Sequence, residues 1–346
     1  MGAGLSDGQR RRPTLRDVAA RAGVHPATAS RALNPALPGR IGAETTRRVQ
    51  EAAHELGYRP DPAARSLRTR RSGVVGVVVP DLINPVLPPI VRGVEETLWE
   101  AGLGCLLADT DNRPEREAAL VAELVDRRCE GMVVATASRA SEAVRSLIGA
   151  EPPTVLVTRE PDGSPLPFVA GDDAAGVTAA VDHLVSLGHE AIAYITGPTD
   201  LSTTVRREEA FRACLADRLP RSRPVVIHGS GFTVPAGQET TREALDSGRR
   251  PTAILAGNDM MALGAYEALA EAGLRCPQDV SVVGHNDMPF MSQVDPPLTT
   301  VSIPQDRVGV EAARMLLDLR EGRSPEPMRR LLPTALVVRG STAPPA

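Results

Sequence analysis

The chain contains no lysine, and all 39 of its basic residues are arginine. This excludes mechanisms that need a lysine amine, including Schiff-base catalysis and the phosphate-binding lysine of a P-loop. Aromatic residues make up only 2% of the 346 residues, so the core must be built from valine, leucine, isoleucine and alanine. The apolar fraction of 42% and the charged fraction of 24% are ordinary for globular domains, which excludes wholesale disorder.

Several other sequence features are missing. No apolar run reaches the roughly 18 residues of a membrane span, and Met1–Arg12 has no apolar stretch typical of a signal peptide. The four cysteines form no CxxC pair, which favours buried free thiols over disulfides or a metal site. GxSxG, HExxH and Walker motifs are absent, so we expect no enzyme, no metal and no cofactor.

The net charge of −4 conceals a strong asymmetry between two parts of the chain. Residues 1–72 hold 14 arginines against six acidic residues, a net charge of +8. Residues 73–346 hold 25 arginines against 37 acidic residues, a net charge of −12. A small basic head on a large acidic body predicts a polyanionic partner for the head, and an incidental basic surface is the alternative.

The head has the proportions of a helix–turn–helix. Residues 1–12 are predicted to be a disordered basic arm. The pattern after them predicts three short helices, Leu15–Ala22, Pro26–Leu33 and Ala43–Leu56. Thr14 and Asp17 have the spacing of a capping box for the first helix, and Gly23 provides the turn after it.

From Gly73 onward the pattern changes to alternating strands and helices. Apolar runs predict strands at Val74–Val79, Cys105–Ala108, Gly131–Ala135, Thr154–Val157, Ala191–Thr196, Pro224–His228, Ala253–Ala256, Val280–Gly284 and Leu332–Val338. Helical patterns between them include Pro88–Ala101, Glu115–Arg128, Ala174–Leu187, Val205–Ala216, Ala236–Ser247 and Met260–Ala272. This alternation is long for one sheet, so two parallel sheets with a ligand cleft between them are expected.

The stretch from Thr14 to Asn34, TLRDVAARAGVHPATASRALN, resembles the DNA-binding head of the lactose-repressor (LacI/GalR) family of bacterial transcription factors. The resemblance extends over nearly the whole chain through motifs at Asn84-Pro85, His183–His189, Gly257–Gly264, Asp279–Gly284 and Asp295–Thr300. It implies an all-α helix–turn–helix head and a two-lobed α/β body, similar to periplasmic binding proteins, with two doubly wound parallel sheets.

The same resemblance implies a domain division. Residues 13–59 would form the DNA-binding domain, 60–72 the hinge helix and linker, and 73–346 the effector-binding and dimerisation domain. Lobe 1 would comprise approximately 73–170 and 300–328, and lobe 2 approximately 171–299 and 329–346. The chain would therefore cross between lobes near 170, 300 and 329.

The family reads the DNA major groove with the start of its second helix. The residues at the matching positions are His25, Pro26, Ala27 and Arg31. Arg31 would bind a guanine edge, with a contact to phosphate alone as the alternative. The DNA phosphate ligands implied are Thr14, Thr28 and Ser30.

The hinge segment resembles the part of the family that enters the minor groove. The residues implied there are Ala64, Arg65 and Leu67. Leu67 would wedge between base pairs and kink the duplex. A flexible arginine-rich linker without this function is the alternative.

The effector contacts implied by the resemblance are Val86, Leu87, Thr203, Arg207, Phe232, Asn258 and Asn286. Two departures stand out, because many relatives have aromatics at Val86-Leu87 and an aspartate at Asn286. Either the effector differs from the commonest sugars and purines, or Asp287 takes part of the role of that aspartate. Arg206 is an alternative to Arg207 as the arginine that binds the ligand. The alternatives to a ligand contact are that Phe232 is a core residue and that Asn258 only caps a helix.

The resemblance implies a transcriptional regulator, a repressor, that acts as a homodimer on a palindromic DNA operator. A small-molecule effector, a sugar or related metabolite, would bind in the cleft between lobes. A cytoplasmic, nucleoid-associated location without membrane contact is expected. A solute-binding protein for a transporter is the alternative, but it would have an export signal and no basic head.

Overall fold

The structure is a computed structural model that describes residues 13–33, 41–58 and 72–346. The chain divides into two compact units, Met1–Ser72 and Gly73–Ala346, which are treated separately below. The predicted arm 1–12 and the hinge residues Ala64, Arg65 and Leu67 lie outside the described residues.

The described part of the head contains three helices, α1 (Leu15–Arg21), α2 (Pro26–Ala32) and α3 (Ala43–Glu55). Each helix lies within two residues of its predicted bounds. Thr14 and Asp17 form the predicted capping box. Gly23 has φ +63°, a left-handed conformation that glycine adopts easily, and it ends the first helix as expected.

Small side chains fill the core of the head. The buried residues are Val18, Ala19, Ala22, Ala29, Val49, Ala52 and Ala53. Polar contacts hold α3 against α1, since Arg21 Nε donates to Glu55 Oε2 at 3.0 Å and Arg48 Nη2 donates to the Ala22 carbonyl at 3.0 Å. The short helices are thus stabilised mainly by packing against each other.

The body contains two six-stranded sheets. The strands of the first sheet are β1 (Val74–Val79), β2 (Gly104–Asp109), β3 (Met132–Val134), β4 (Thr154–Val157), β5 (Phe168–Gly171) and β11 (Arg329–Leu332). Their order is β11-β5-β4-β3-β1-β2, and all neighbours are parallel. The valine-rich sequence of β1 fits a strand that is buried on both faces.

The second sheet has nearly the same arrangement. Its strands are β6 (Ile192–Thr196), β7 (Val225–His228), β8 (Ala253–Ala256), β9 (Ser281–Asn286), β10 (Thr299–Ser302) and β12 (Ala335–Val337). Their order is β12-β10-β9-β8-β6-β7. The edge strand β12 runs antiparallel to β10, so this sheet is parallel except at one edge.

Helices cover both sheets. They are α4 (Leu87–Glu100), α5 (Pro114–Asp126), α6 (Glu142–Arg145), α7 (Asp173–Ser186), α8 (Ser202–Arg218), α9 (Val234–Asp246), α10 (Asp259–Glu271) and α11 (Gln305–Arg320). The helix α11 packs on α4 and on the first sheet, so it belongs to lobe 1. Within the described ranges, no helix is long and apolar enough to span a bilayer.

The chain crosses between lobes three times, slightly later than the sequence predicts. The crossings follow Gly171, Ser302 and Leu332. The crossing predicted near 300 follows Ser302, because β10 extends to that residue beside β9 in lobe 2. The crossing predicted near 329 follows Leu332, because β11 pairs with β5 and so completes lobe 1.

The four cysteines are free thiols. Cys129 and Cys214 are buried as predicted, whereas Cys105 and Cys276 are only half-buried. Burial raises the pKa of the Cys105 thiol to about 11, which keeps it protonated and poorly nucleophilic at neutral pH.

Two glycines let the backbones of α4 and α11 approach each other directly. A Cβ at Gly309 would overlap the carbonyl oxygen of Ile90, and a Cβ at Gly93 would overlap that of Asp306. Any side chain at either position must therefore push the two helices apart.

We expect Gly309→Ala to lower the free energy of unfolding by about 2 kcal/mol, even after a helix-propensity gain of about 1 kcal/mol. Urea unfolding of the full chain measures this. Gly104→Ala is the control, since its Cβ would make an ordinary contact with Val74 Cγ1 at 3.6 Å. Equal unfolding free energies for the two variants would contradict the close packing.

Candidate functional site

The second helix of the head presents the predicted major-groove residues at its surface. His25, Ala27 and Arg31 are exposed, and Pro26 occupies the first helical position. His25 is the N-cap, because its Nδ1 accepts a hydrogen bond from the Ala27 backbone N–H at 3.2 Å. Arg31 lies in the last turn of α2, opposite the buried Ala29. This exposed face is available to a partner, as the sequence predicts.

The predicted phosphate ligands differ in their surroundings. The Thr14 hydroxyl donates to Asp17 Oδ2 at 2.7 Å, so it would have to give up this bond to donate to a phosphate. Thr28 and Ser30 are half-buried on α2. The capping role of Thr14 is clear from its geometry, while the three phosphate contacts remain predictions.

All seven predicted effector residues line one chamber between the lobes. The chamber has a volume of about 50 Å³. Lobe 1 contributes Val86 and Leu87, and lobe 2 contributes Thr203, Arg207, Phe232, Asn258 and Asn286. Its other lining residues are Pro80, Asn84, Thr158, Arg159 and Ile303. Most of these residues follow the carboxyl ends of parallel strands, where ligands bind in such sheets.

A larger compartment of about 400 Å³ adjoins this inner chamber. The two compartments share Pro80, Asn84, Arg159 and Phe232. The side chains around the larger one are mostly polar and include Asp81, Thr110, Asn112, Arg113, Glu117, Thr136, Ser138, Asp200, Ser230 and Thr233. Together the two compartments form a polar cleft with an aliphatic wall at Val86 and Leu87.

Arg207 lies at the base of the chamber and is almost fully buried. Its Nε donates to Asp173 Oδ1 at 2.7 Å, and its Nη1 donates to the Gly257 carbonyl at 2.6 Å. Its Nη2 lies 3.5 Å from Asn286 Oδ1. Most of its donors are thus used within the protein, so Arg207 positions Asn286 and closes the base of the chamber.

Arg206 joins the two lobes. From α8 of lobe 2, its Nη2 donates to the Thr158 carbonyl of lobe 1 at 2.8 Å, and its Nη1 donates to Glu160 at 3.2 Å. The same guanidinium pairs with Asp173 of lobe 2 at 3.1 Å. The two adjacent arginines therefore have separate roles, because only Arg207 lines the chamber.

Asp173 holds both arginines. Burial by itself would raise the pKa of this carboxyl, but the opposite charges of Arg207 and Arg206 outweigh it and hold the pKa below its ordinary value. His285 Nε2 lies 3.6 Å from Asp173 Oδ1. Burial, and then the charge of Arg207, hold the pKa of His285 well below its ordinary value, so this imidazole is neutral.

Asn286 directs hydrogen-bond donors into the chamber. Arginine can only donate, so the amide oxygen of Asn286 faces Arg207 and the amino group is left for a ligand. Its φ of +112° is unusual for a residue with a side chain and marks a constrained backbone. Its backbone carbonyl accepts from Gln305 Nε2 at 2.8 Å, which holds this conformation.

Asn258 and Phe232 act as a unit. Asn258 Oδ1 accepts from the Met261 backbone N–H at 2.9 Å, which makes it the N-cap of α10. Its Nδ2 donates to the Phe232 carbonyl at 3.2 Å. The Phe232 ring lies over Gly197 and Gly257, where an added Cβ would come within 2.7 Å and 3.0 Å of it. Asn258 therefore mainly positions the aromatic wall of the cleft.

Arg159 is a cleft residue that the sequence analysis missed. It follows β4 and Thr158, whose φ is +60°, and it is only 9% exposed. Its position just after β4 is a signal in the sequence, because residues that follow a parallel strand lie at the ligand edge of the sheet. Burial lowers the pKa of its guanidinium to about 10, and it still carries a charge at neutral pH.

Comparisons with known proteins agree with this architecture. Residues 14–61 match the family model "Bacterial regulatory proteins, lacI family", and residues 181–342 match "Periplasmic binding protein-like domain". The transcriptional repressor CytR of Escherichia coli K12 is 32% identical over 329 residues, covering 95% of this chain and 96% of CytR. The chain therefore belongs to the lacI family of bacterial regulatory proteins.

Solved structures show the same fold. The Lac repressor dimer, bound to operator and the anti-inducer ONPF, has a TM-score of 0.87 and 29% identity, covering 96% of this chain and 100% of that one. The regulator CelR in complex with cellobiose has a TM-score of 0.73 and 33% identity, covering 95% and 100%. The predicted helix–turn–helix head and two-lobed α/β body are thereby confirmed.

A buried carboxyl supports the turn that carries Asn286. Asp259 accepts hydrogen bonds from the Met288 backbone N–H at 2.7 Å and from the Thr300 hydroxyl. Burial raises the pKa of Asp259 to about 7. Between the ordinary pKa of 3.8 and the folded pKa of about 7, this carboxyl is therefore protonated in the folded protein and ionised in the unfolded chain.

We expect the free energy of unfolding to fall as pH rises between the ordinary pKa of 3.8 and the folded pKa of about 7. The contribution of Asp259 is at most about 1.4 kcal/mol for each pH unit. Urea unfolding at several pH values measures it, and Asp259→Asn should remove this part of the slope. The exposed Asp246→Asn is the control, and an unchanged slope in Asp259→Asn would contradict the assignment.

Proposed function

We propose that this regulator is a sequence-specific repressor that binds a palindromic operator as a homodimer and responds to a small molecule in the cleft. The observation that carries the proposal is the convergence of residues from both lobes on one polar chamber. A second observation is the basic charge of the head, +8 over residues 1–72.

The charge and surface of the head support DNA binding. Neutralisation of phosphates supplies much of the affinity of proteins for DNA, and this head can supply it only with arginine. At the start of α2, Pro26 and Ala27 offer little direct readout, because they have no side-chain donors. We propose that Arg31 reads a guanine in each half-site.

The minor-groove part of the proposal rests on the family resemblance alone. We propose that Ala64, Arg65 and Leu67 form the hinge contact with the operator. The Lac repressor was solved as a dimer on its operator, and two heads on a palindrome would match the symmetry of such a dimer.

The cleft supports regulation by a carbohydrate or related metabolite. CelR was solved with cellobiose, and this chain has a polar cleft of suitable size at the interface between its two lobes. A ligand that contacts both lobes favours the closed arrangement, which would change the spacing of the two heads. The bonds of Arg206 to Thr158 and Glu160 would stabilise that closed arrangement.

Selection of DNA sites from a random duplex library with the full chain tests the DNA-binding proposal. We expect a palindromic consensus, and we expect Arg31→Ala to lose preference at one base pair in each half, at a cost of about 1–3 kcal/mol. Arg47→Ala, which removes the same charge from an exposed position on α3, should weaken all sequences alike. A uniform loss for Arg31→Ala would make it a phosphate ligand, and a failure to select any site would contradict DNA recognition.

The lobe contact of Arg206 has a separate test. We expect Arg206→Gln to open the ligand-free cleft, because it removes the charge that pairs with Glu160 across the lobes. Small-angle X-ray scattering should show a larger radius of gyration than in the wild type. Arg212→Gln, an exposed residue on the same helix that pairs with Glu208, should leave the profile unchanged. An unchanged profile for Arg206→Gln would contradict a role for this contact in holding the lobes together.

A further inference from the structure

We propose that the effector carries a carboxylate that pairs with Arg159, and that it is therefore a sugar acid in which hydroxyl groups accompany the carboxylate. This inference rests on the proposed function, since it names the chemical class of the molecule in the cleft. It differs from the neutral sugar cellobiose, with which CelR was solved.

The central observation is a buried cation without an ion pair. Arg159 is 9% exposed, and its hydrogen bond within the described part of the chain is a long one, 3.4 Å from Nη1 to Asn112 Oδ1. The neighbouring buried arginine, Arg207, has Asp173 at 2.7 Å and the Gly257 carbonyl at 2.6 Å. Burying a charge is costly unless it is paired, so Arg159 is poised for a partner that the protein itself does not supply.

The carboxylates near Arg159 are engaged elsewhere or too distant to pair with it. Asp200, Glu117 and Asp81 influence it through space, but none of them forms an ion pair with it in the described residues. Glu117 accepts hydrogen bonds from the Thr136 and Ser141 hydroxyls. Asp81 Oδ1 accepts from the Ile83 backbone N–H at 2.8 Å. Pairing with a ligand anion would complete the coordination of Arg159.

The inner chamber is rich in donors. None of its lining residues is acidic, and its two charged residues are Arg159 and Arg207. Asn286 faces it with an amino group, because its oxygen points to Arg207. The buried Thr203 hydroxyl has no hydrogen-bond partner. The base of the chamber thus presents neutral donors as well as charged ones, which suits an acceptor such as a carboxylate oxygen.

The two compartments differ in a way that fits a sugar acid. The inner volume of about 50 Å³ suits a group of a few atoms such as a carboxylate. The outer volume of about 400 Å³ has acceptors at Asp81 and Asp200 for hydroxyl groups. Phe232 borders both compartments and can pack against the C–H face of a sugar ring. Arg159 also borders both compartments, so it can pair with a carboxylate in the inner one while the ring occupies the outer one.

Binding of matched acid and neutral sugars tests the inference. The probes are D-glucuronate with D-glucose, D-galacturonate with D-galactose, and D-gluconate with D-glucitol, titrated calorimetrically into the full chain at constant ionic strength. We expect at least one acid to bind tighter than its neutral partner by on the order of tenfold to a hundredfold. Arg159→Gln should abolish this preference, and Arg159→Lys should keep part of it because the charge remains.

Controls separate a loss of charge from a loss of fold. Arg242→Gln, exposed on α9 and paired with Glu271, should keep the full preference for the acid. Thermal unfolding without ligand should show that Arg159→Gln is folded, and the Arg159→Lys variant tests the charge independently of that result.

Three results would overturn the inference: no acid in the panel binds, the neutral partners bind as tightly as the acids, or Arg159→Gln weakens acid and neutral sugars equally. The binding and site-selection experiments distinguish failure of this inference from failure of the proposed function. A chain that selects a palindromic site and binds only neutral sugars overturns the inference and keeps the proposed function. A chain that prefers acids but selects no DNA site overturns the proposed function and keeps the assignment of Arg159.

Discussion

The buried carboxylate of Asp173 is the interaction on which the cleft depends. It holds Arg207 at 2.7 Å, which positions Asn286 at the base of the chamber. It also holds Arg206 at 3.1 Å, which reaches across to Thr158 and Glu160 in the other lobe. One carboxylate thus links the ligand-facing wall to the contact between lobes. Loss of a single partner would leave an uncompensated charge, so the members of this cluster act together.

The arrangement of strands explains why so many polar side chains meet there. Parallel sheets bring the carboxyl ends of their strands to one edge, and the cleft lies where the edges of the two sheets face each other. β4 delivers Thr158 and Arg159 from lobe 1, and β9 delivers Asn286 from lobe 2. Positive φ values at Thr158 and Asn286 show that the backbone is constrained at both positions, which is common at functional sites. The scarcity of aromatic residues leaves Phe232 as the aromatic wall among the residues that line both compartments.

Much of the fold could be predicted from sequence patterns, and the reasons for the failures are physical. The valine run of β1 and the capping box of α1 are local signals, so they were found with nearly correct bounds. The strands β5, β10 and β11 have only four residues each. The sheet that each of them joins depends on pairing with strands far away in the sequence. The predicted crossings therefore lie two or three residues before the observed ones, which follow Ser302 and Leu332. The roles of Arg206 and Arg207 could not be assigned from the sequence. Adjacent helical residues point in different directions, and only the packing of α8 decides which of the two faces the chamber. Arg159 was missed since its importance depends on which carboxylates are absent around it.

Regulation by this protein requires that ligand binding in the cleft and operator binding by the head be thermodynamically linked. The most direct measurement is the affinity of the full chain for its selected operator, with and without a saturating concentration of the panel sugar or sugar acid that binds most tightly. The account predicts that the ligand changes operator affinity, and that operator changes ligand affinity by the same factor. A ligand that binds the cleft and stabilises the body but leaves operator affinity unchanged would contradict it.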